Sequence, residues 1–98
     1  MAQASSGMSL PATPTLMQNY PNPFNSITTI RYSVPQAGNA SLKLFNVLGQ
    51  EVQTFIDADH LPGMHEITVG NEKLASGVYL YRLKAGEFTE TKKLLIVR

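Results

Sequence analysis

The chain has 98 residues, of which 15% are charged, with a formal net charge of +1 and no cysteine. This length allows one domain with one modest core. The lack of cysteine excludes a disulfide framework, a thiolate metal site and a cysteine nucleophile. A nearly neutral chain without a basic block does not suit nucleic acid or an anionic membrane as a partner. No apolar run approaches the roughly 20 residues of a membrane-spanning helix.

Residues 1–15 are mostly alanine, serine, threonine and proline, with few large apolar side chains. Such a segment cannot bury enough apolar surface to offset the entropy that is lost on ordering. We therefore expect residues 1–15 to be a flexible linker or an expression remnant, stiffened at its end by Pro11 and Pro14. The folded domain is predicted to occupy residues 16–98.

A segment rich in proline and asparagine opens the predicted domain. Two prolines within three residues fix the backbone and remove two hydrogen-bond donors, so these residues cannot lie in the middle of a sheet. The asparagines can bond their own backbone and close turns, and an aromatic residue on each side adds apolar bulk. We expect a rigid, partly buried turn with a structural role, formed by Asn19, Tyr20, Pro21, Asn22, Pro23, Phe24 and Asn25.

After this turn the chain alternates apolar and polar residues in short runs, and none of them has a helical apolar stripe. The predicted strands are 28–34, 40–46, 51–56, 63–69, 77–84 and 88–97. A polar loop is expected at 57–62, and Gly49 and Gly77 are expected to supply open backbone angles at a turn and at the start of a strand. Turn signals about every 8 to 12 residues favour an all-β fold, an antiparallel β-sandwich of about six to seven short strands. Its predicted core contains Ile30, Tyr32, Leu42, Leu44, Val52, Ile67, Tyr79 and Tyr81.

Several of these segments occur in the order of a known family. Residues 16–25 resemble the opening signature of the C-terminal sorting domains of the type IX secretion system, and residues 28–32 look like the strand that follows it there. Residues 44–52 are similar to the central hairpin of the family, 74–83 to its most recognisable strand, and 91–97 to its basic and then apolar terminus. The resemblance runs over residues 16–98. Ser26 and Gly70 depart from it at positions where many members have proline and aspartate, which affects the rigidity of two loops.

The resemblance implies an Ig-like β-sandwich at the end of a larger exported protein, of a kind found in Bacteroidetes and related bacteria. Such a domain is non-catalytic, and it directs an upstream cargo on the same chain through the periplasm and across the outer membrane. The destination is the cell surface or the medium. The implied partners are the outer-membrane secretion machinery and a sortase-like peptidase, which often cleaves the domain from its cargo.

The residues that are capable of metal binding or catalysis do not follow an established pattern. The only group of potential metal ligands is Asp57, Asp59, His60 and His65. Their spacing fits no known site, so no metal and no cofactor is expected. Ser76 does not lie in a nucleophile elbow, and the chain has only two histidines. We therefore do not expect an enzyme.

The alternative function is a carbohydrate-binding accessory module of a secreted glycosidase. Its stacking platform would be formed by Tyr32, Tyr79, Tyr81 and Phe88. Tyrosines that alternate along one strand are more typical of a core face with polar tips, and the chain has no tryptophan. An exposed aromatic strip would distinguish this module from a sorting domain.

The candidate recognition site is the end of the chain, formed by Lys92, Lys93, Leu94, Leu95, Ile96, Val97 and Arg98. Two interpretations stay open. In the first, the two lysines keep an aggregation-prone edge strand soluble. In the second, the secretion machinery recognises this strand through main-chain hydrogen bonds at its edge and through its side chains. The apolar run is also compatible with a weak homodimer.

Overall fold

The computed structural model describes residues 12–70 and 73–97. These residues form seven strands and no helix: β1 (Thr15–Leu16), β2 (Ile27–Val34), β3 (Gly38–Phe45), β4 (Glu51–His60), β5 (Gly63–Gly70), β6 (Gly77–Ala85) and β7 (Phe88–Ile96). The strands form two sheets, ordered β1-β2-β5 and β4-β3-β6-β7, and all neighbouring strands are antiparallel. Within the described residues no helix is long and apolar enough to cross a membrane.

The order of the strands is that of an Ig-like sandwich. The first, second and fifth strands form one sheet, and the third, sixth and seventh form the other, with the fourth strand added at its edge. The predicted fold class, an all-β antiparallel Ig-like sandwich of about six to seven strands, is confirmed.

The core lies between the two sheets and follows the two-residue period of the strands. The buried apolar side chains are Leu16, Phe24, Ile30, Tyr32, Val34, Ala40, Leu42, Leu44, Val69, Leu74, Tyr81, Leu83, Leu94 and Ile96. Of the predicted core residues, Ile30, Tyr32, Leu42, Leu44 and Tyr81 are therefore confirmed, and Ile67 and Tyr79 are partly buried against this core. Only Val52 is exposed.

Strand β4 is longer than the sequence suggested. It continues to His60, so the polar loop predicted at 57–62 is wrong for most of its length. The reason is pairing with β3, because Ala58 lies opposite Ala40 and the ladder satisfies backbone groups that a loop would leave to water. Val52 is 43% exposed, because β4 is an edge strand whose register shifts twice near this end.

Strand β1 begins at Thr15, one residue before the predicted start of the domain. Thr15 pairs with Ser33 and Leu16 pairs with Tyr32, and the Leu16 side chain is buried. Most of the predicted linker, residues 1–11, lies outside the described residues.

A tight turn joins β3 to β4, as predicted. Gly49 has a φ of 86°, and its N–H donates to the carbonyl oxygen of Asn46 at 3.0 Å. The Oδ1 atom of Asn46 accepts hydrogen bonds from the N–H groups of Leu48 and Gln50, each at 3.0 Å. Gly77, at a φ of 149°, begins β6. Both glycines thus adopt backbone angles that other residues rarely adopt.

Candidate functional site

Residues 18–25, called here the proline segment, cross from one sheet to the other at the side of the sandwich. Near its start Tyr20 pairs with Thr29 of β2, and near its end Phe24 pairs in parallel with Ile96 of β7. The peptide bonds before both prolines are cis. The segment therefore connects the three-stranded sheet to the last strand of the four-stranded sheet.

The proline segment fills the outer edge of the end of β7. The N–H of Phe24 donates to the carbonyl oxygen of Leu95 at 3.1 Å, and the N–H of Val97 donates to the carbonyl oxygen of Phe24 at 2.9 Å. The Oδ1 atom of Asn22 accepts a hydrogen bond from the N–H of Leu95 at 2.9 Å. The N–H and carbonyl groups of Leu95 and the N–H of Val97 are thus already hydrogen-bonded within the protein and are not free for a partner strand.

Asn19 closes the turn from inside. Its side chain is 2% exposed, and its Nδ2 atom donates to the carbonyl oxygen of Pro21 at 3.1 Å and to Thr28 Oγ1 at 3.0 Å. The Thr28 hydroxyl in turn donates to the same Pro21 oxygen at 2.7 Å. The two aromatic residues of the segment differ in their exposure: Phe24 is 2% exposed and Tyr20 is 79% exposed. The apolar bulk expected on both sides of the turn is therefore buried on one side only.

Tyr81 of β6 anchors the chain just before the turn. Its hydroxyl accepts a hydrogen bond from the N–H of Asn19 at 2.7 Å and donates to the carbonyl oxygen of Met17 at 2.8 Å. Burial raises the pKa of Tyr81 to about 12; the negative charge of Glu90 acts in the same direction, and the bond from Asn19 opposes both. The neutral hydroxyl is therefore the form that holds the segment in place.

The predicted recognition residues do not all reach the surface. The alternation along β7 turns Leu94 and Ile96 into the core, where they are 0% and 2% exposed. The same alternation places Lys93, Leu95 and Val97 on the exterior of the four-stranded sheet. Among the predicted residues that the structure describes, these three have side chains that face outward from the sheet.

The other basic residues of the predicted site have different surroundings. Lys92 Nζ lies 3.5 Å from a carboxylate oxygen of Glu90. The main-chain oxygen of Lys93 accepts a hydrogen bond from Gln18 Nε2 at 2.7 Å, while its side chain is exposed. Arg98 lies outside the described residues.

The exterior of β6 continues the surface that Lys93 and Leu95 begin, and it is not among the recognition residues predicted from the sequence. Leu80 lies opposite Lys93, and Val78 lies opposite Leu95. Arg82 lies two positions further along β6 on the same face. The alternation around the buried tyrosine of β6 was the signal that could have revealed this surface. We call it the exterior strip, defined as Val78, Leu80, Arg82, Lys84, Thr89, Thr91, Lys93 and Leu95.

The two histidines lie together at one end of the sandwich. Nε2 of His60 is 2.7 Å from the Tyr32 hydroxyl, and Nδ1 of His60 is 2.8 Å from the carbonyl oxygen of Ala58. Because a carbonyl can only accept, Nδ1 carries a proton, and in the neutral ring the Tyr32 hydroxyl therefore donates to Nε2. Burial raises the pKa of Tyr32. His65 stacks on Tyr32, and within the described residues no three His, Cys, Asp or Glu side chains group as metal ligands.

The aromatic side chains of the alternative platform do not share an exposed face. Tyr32 and Tyr81 are buried, and Phe88 packs partly buried against the core. The Tyr79 hydroxyl donates to the carbonyl oxygen of Ala75 at 2.8 Å. Among the aromatic residues, Tyr20 is the one with a strongly exposed ring.

The structural class of this chain is an Ig-like sandwich in which the proline segment covers the outer edge of the end of the last strand. A family model described as "Secretion system C-terminal sorting domain" matches residues 18–97, and the chain belongs to this family. No curated protein matches the chain. Among solved structures, the Ig1 domain of mouse SynCAM 2 is similar, with 17% identity and a TM-score of 0.42 over 86% of this chain and 92% of that one.

Proposed function

We propose that the domain directs an upstream cargo through the type IX secretion system, and that the machinery recognises the exterior side chains of its last strand. The observation that carries the proposal is the family match over residues 18–97, which spans the sandwich from the proline segment to the end of β7. Membership of this family supports the first part of the proposal, the sorting role in export. The geometry supports the proposed recognition of the last strand, because Lys93, Leu95 and Val97 lie on the exterior.

Recognition by side chains follows from the position of the proline segment. A partner strand that paired with the end of β7 would first have to remove Phe24 and Asn22 from Leu95 and Val97. Recognition of the exterior face requires no such rearrangement. We therefore propose contact with the face of the sheet rather than addition of a strand to its edge.

The finer steps of the route are also part of the proposal. The domain passes through the periplasm with its cargo and crosses the outer membrane to the cell surface or the medium. A sortase-like peptidase is proposed as a second partner on that route. No catalytic step is assigned to the side chains of the domain.

A reporter protein fused ahead of Leu16 tests the proposal in a host with a functional type IX system. We expect removal of residues 16–98 to abolish export of the reporter. Deleting the last residues alone would be a poor test, because Leu94 and Ile96 belong to the core and their loss would unfold the domain. The informative variants are Lys93→Glu and Leu95→Gln, which change the exterior only.

We expect both exterior variants to fold and to lower the exported fraction of the reporter at least fivefold. The matched controls are Thr29→Glu and Met64→Gln, on the exterior of the three-stranded sheet, which we expect to export normally. Normal export without residues 16–98 would disprove the sorting role. Normal export of both exterior variants would disprove recognition through the last strand.

A further inference from the structure

The exterior strip combines cations with aliphatic side chains. Its basic residues are Arg82, Lys84 and Lys93, all of them exposed, and no acidic residue occupies an outward position on β6 or β7. The acidic residues on the exterior of this sheet lie on β4, where Glu51 is 3.6 Å from Lys43 of β3. The part of the exterior that β6 and β7 form thus carries a net positive charge.

The positive charges of the strip have no acidic partner among the residues that the structure describes. Lys84 and Lys93 make no salt bridge there. Arg82 lies directly opposite Lys43 in the pairing of β6 with β3, and the nearby Glu51 pairs with Lys43 at 3.6 Å. An acidic partner would bring opposite charges to the three cations of the strip, so the face is complementary to an acidic surface.

Arg82 is held in position before any partner arrives. Its Nε atom donates to Thr91 Oγ1 at 3.2 Å, and its guanidinium lies 4.6 Å from the centre of the Phe45 ring. Among the described residues, no hydrogen-bond acceptor or acidic side chain contacts its two Nη atoms. An arginine fixed in this way presents two parallel donors with little rotamer entropy left to lose, which is the geometry that binds a carboxylate.

We propose that Arg82 is the anchor of a docking surface for an acidic segment of a protein partner, with an aspartate or glutamate of the partner on its guanidinium. This inference rests on the proposed function, since it names the chemistry of the partner that recognises the last strand. Lys84 and Lys93 flank the anchor and attract the same segment. Val78, Leu80 and Leu95 form the aliphatic part of the contact.

The aliphatic part favours a protein over a polyanionic sugar as the partner. Val78 is 39% exposed, and Leu80 and Leu95 are partly exposed beside it. Polyanionic sugars would use the cations alone. A protein surface uses both, because stable interfaces combine an apolar centre with arginine and a polar rim.

The test compares two arginines of the same fold in the reporter assay. Arg82→Gln removes the anchor, and Arg31→Gln removes an exterior arginine of the other sheet that has a similar Nε bond, to Glu66 at 2.9 Å. Both changes remove one positive charge. We expect Arg82→Gln to lower the exported fraction at least tenfold, Arg82→Lys to lower it at least threefold, and Arg31→Gln to change it less than twofold. Thermal unfolding of each purified domain establishes that the variants fold.

Equal export of Arg82→Gln and Arg31→Gln would overturn the inference about Arg82. The proposed sorting function would still stand if removal of residues 16–98 abolished export. Normal export without those residues would instead disprove the proposed function. A photocrosslinker at Thr89 of the exported fusion, an exposed position of the strip opposite Lys84, tests the class of partner and leaves the bond between Arg82 and Thr91 in place. We expect a crosslink to a peptide that contains aspartate or glutamate beside the linked position. Binding of the purified domain to phosphatidylglycerol vesicles that depends on Arg82, without a protein crosslink, would overturn the assignment to a protein.

Discussion

Replacing Tyr81 by phenylalanine tests how the proline segment is held. The change removes one buried hydroxyl and leaves the N–H of Asn19 without its acceptor and the carbonyl of Met17 without its donor. An unsatisfied buried polar group costs about 1–3 kcal/mol, and the ring itself keeps its apolar contacts. We therefore expect Tyr81→Phe to lower the free energy of unfolding by about 2 kcal/mol.

Tyr79→Phe is the matched control, in the same strand and two residues away. The Tyr79 hydroxyl donates to the carbonyl oxygen of Ala75 in an exposed position, where water can replace it. We expect this variant to lose less than about 0.5 kcal/mol, in the range of ordinary surface substitutions. Urea unfolding of both variants and of the parent protein measures the difference.

Amide hydrogen exchange locates the effect of Tyr81→Phe within the chain. The N–H groups of Leu95 and Val97 are bonded to the proline segment and, among the residues that the structure describes, to no other. If the hydroxyl of Tyr81 holds the segment in place, its loss increases exchange at Leu95 and Val97 more than in β3. Equal destabilisation by Tyr79→Phe and Tyr81→Phe, or unchanged exchange at the end of β7, would refute the reasoning.

Three further predictions concern the same region. Asn22→Ala leaves the N–H of Leu95 without its side-chain acceptor, and we expect faster exchange of that amide and a loss of about 1 kcal/mol in urea unfolding. Leu94→Ala leaves a cavity in the core and should lower the free energy of unfolding by about 2–5 kcal/mol. Leu95→Ala, on the exterior, should lower it by less than about 1.5 kcal/mol. Equal losses for the two variants in urea unfolding would contradict the assigned faces. Because folding raises the pKa of Tyr81 from 10.0 to about 12, the folded state keeps a proton that the unfolded state loses. The contribution of Tyr81 to stability is complete below pH 10 and is lost as pH rises towards 12, by about 2–3 kcal/mol. Burial also raises the pKa of Tyr32, which acts in both proteins. Urea unfolding across this range should therefore show a larger loss in the parent protein than in Tyr81→Phe.

The sequence predicts the sandwich well because most strands bury one face. Ile30 and Tyr32 alternate with polar residues, and that period determines both the strand and its inner side. The end of β7 lacks this signal, because four successive apolar residues do not reveal which of Leu94 and Leu95 faces inward. The mispredicted loop at 57–62 has a related cause, since an edge strand with an exposed face contains polar residues like those of a loop.

The covering of β7 could not be predicted from local patterns. The bond between Asn22 and Leu95 joins residues that are 73 positions apart, and the turn chemistry of the proline segment indicates its shape without indicating its neighbour. The same limit applies to Arg82, whose position over Phe45 depends on the register between β3 and β6. Residue types and spacing identify the elements of this site, whereas the pairing of distant strands brings them together.

The outward face at the end of β7 exists only when the domain is folded. Lys93 and Leu95 face outward because Leu94 and Ile96 are held in the core, and Phe24 covers the edge beside them. In an unfolded chain the same residues would form no face, and the guanidinium of Arg82 would have neither Phe45 nor Thr91 to hold it. On the proposed function, a partner that binds the exterior strip therefore binds the folded domain and discriminates against the unfolded one. The recognised feature is then a surface assembled from β6 and β7 and supported by Phe45 of β3, and the apolar sequence at the end of the chain is one part of it.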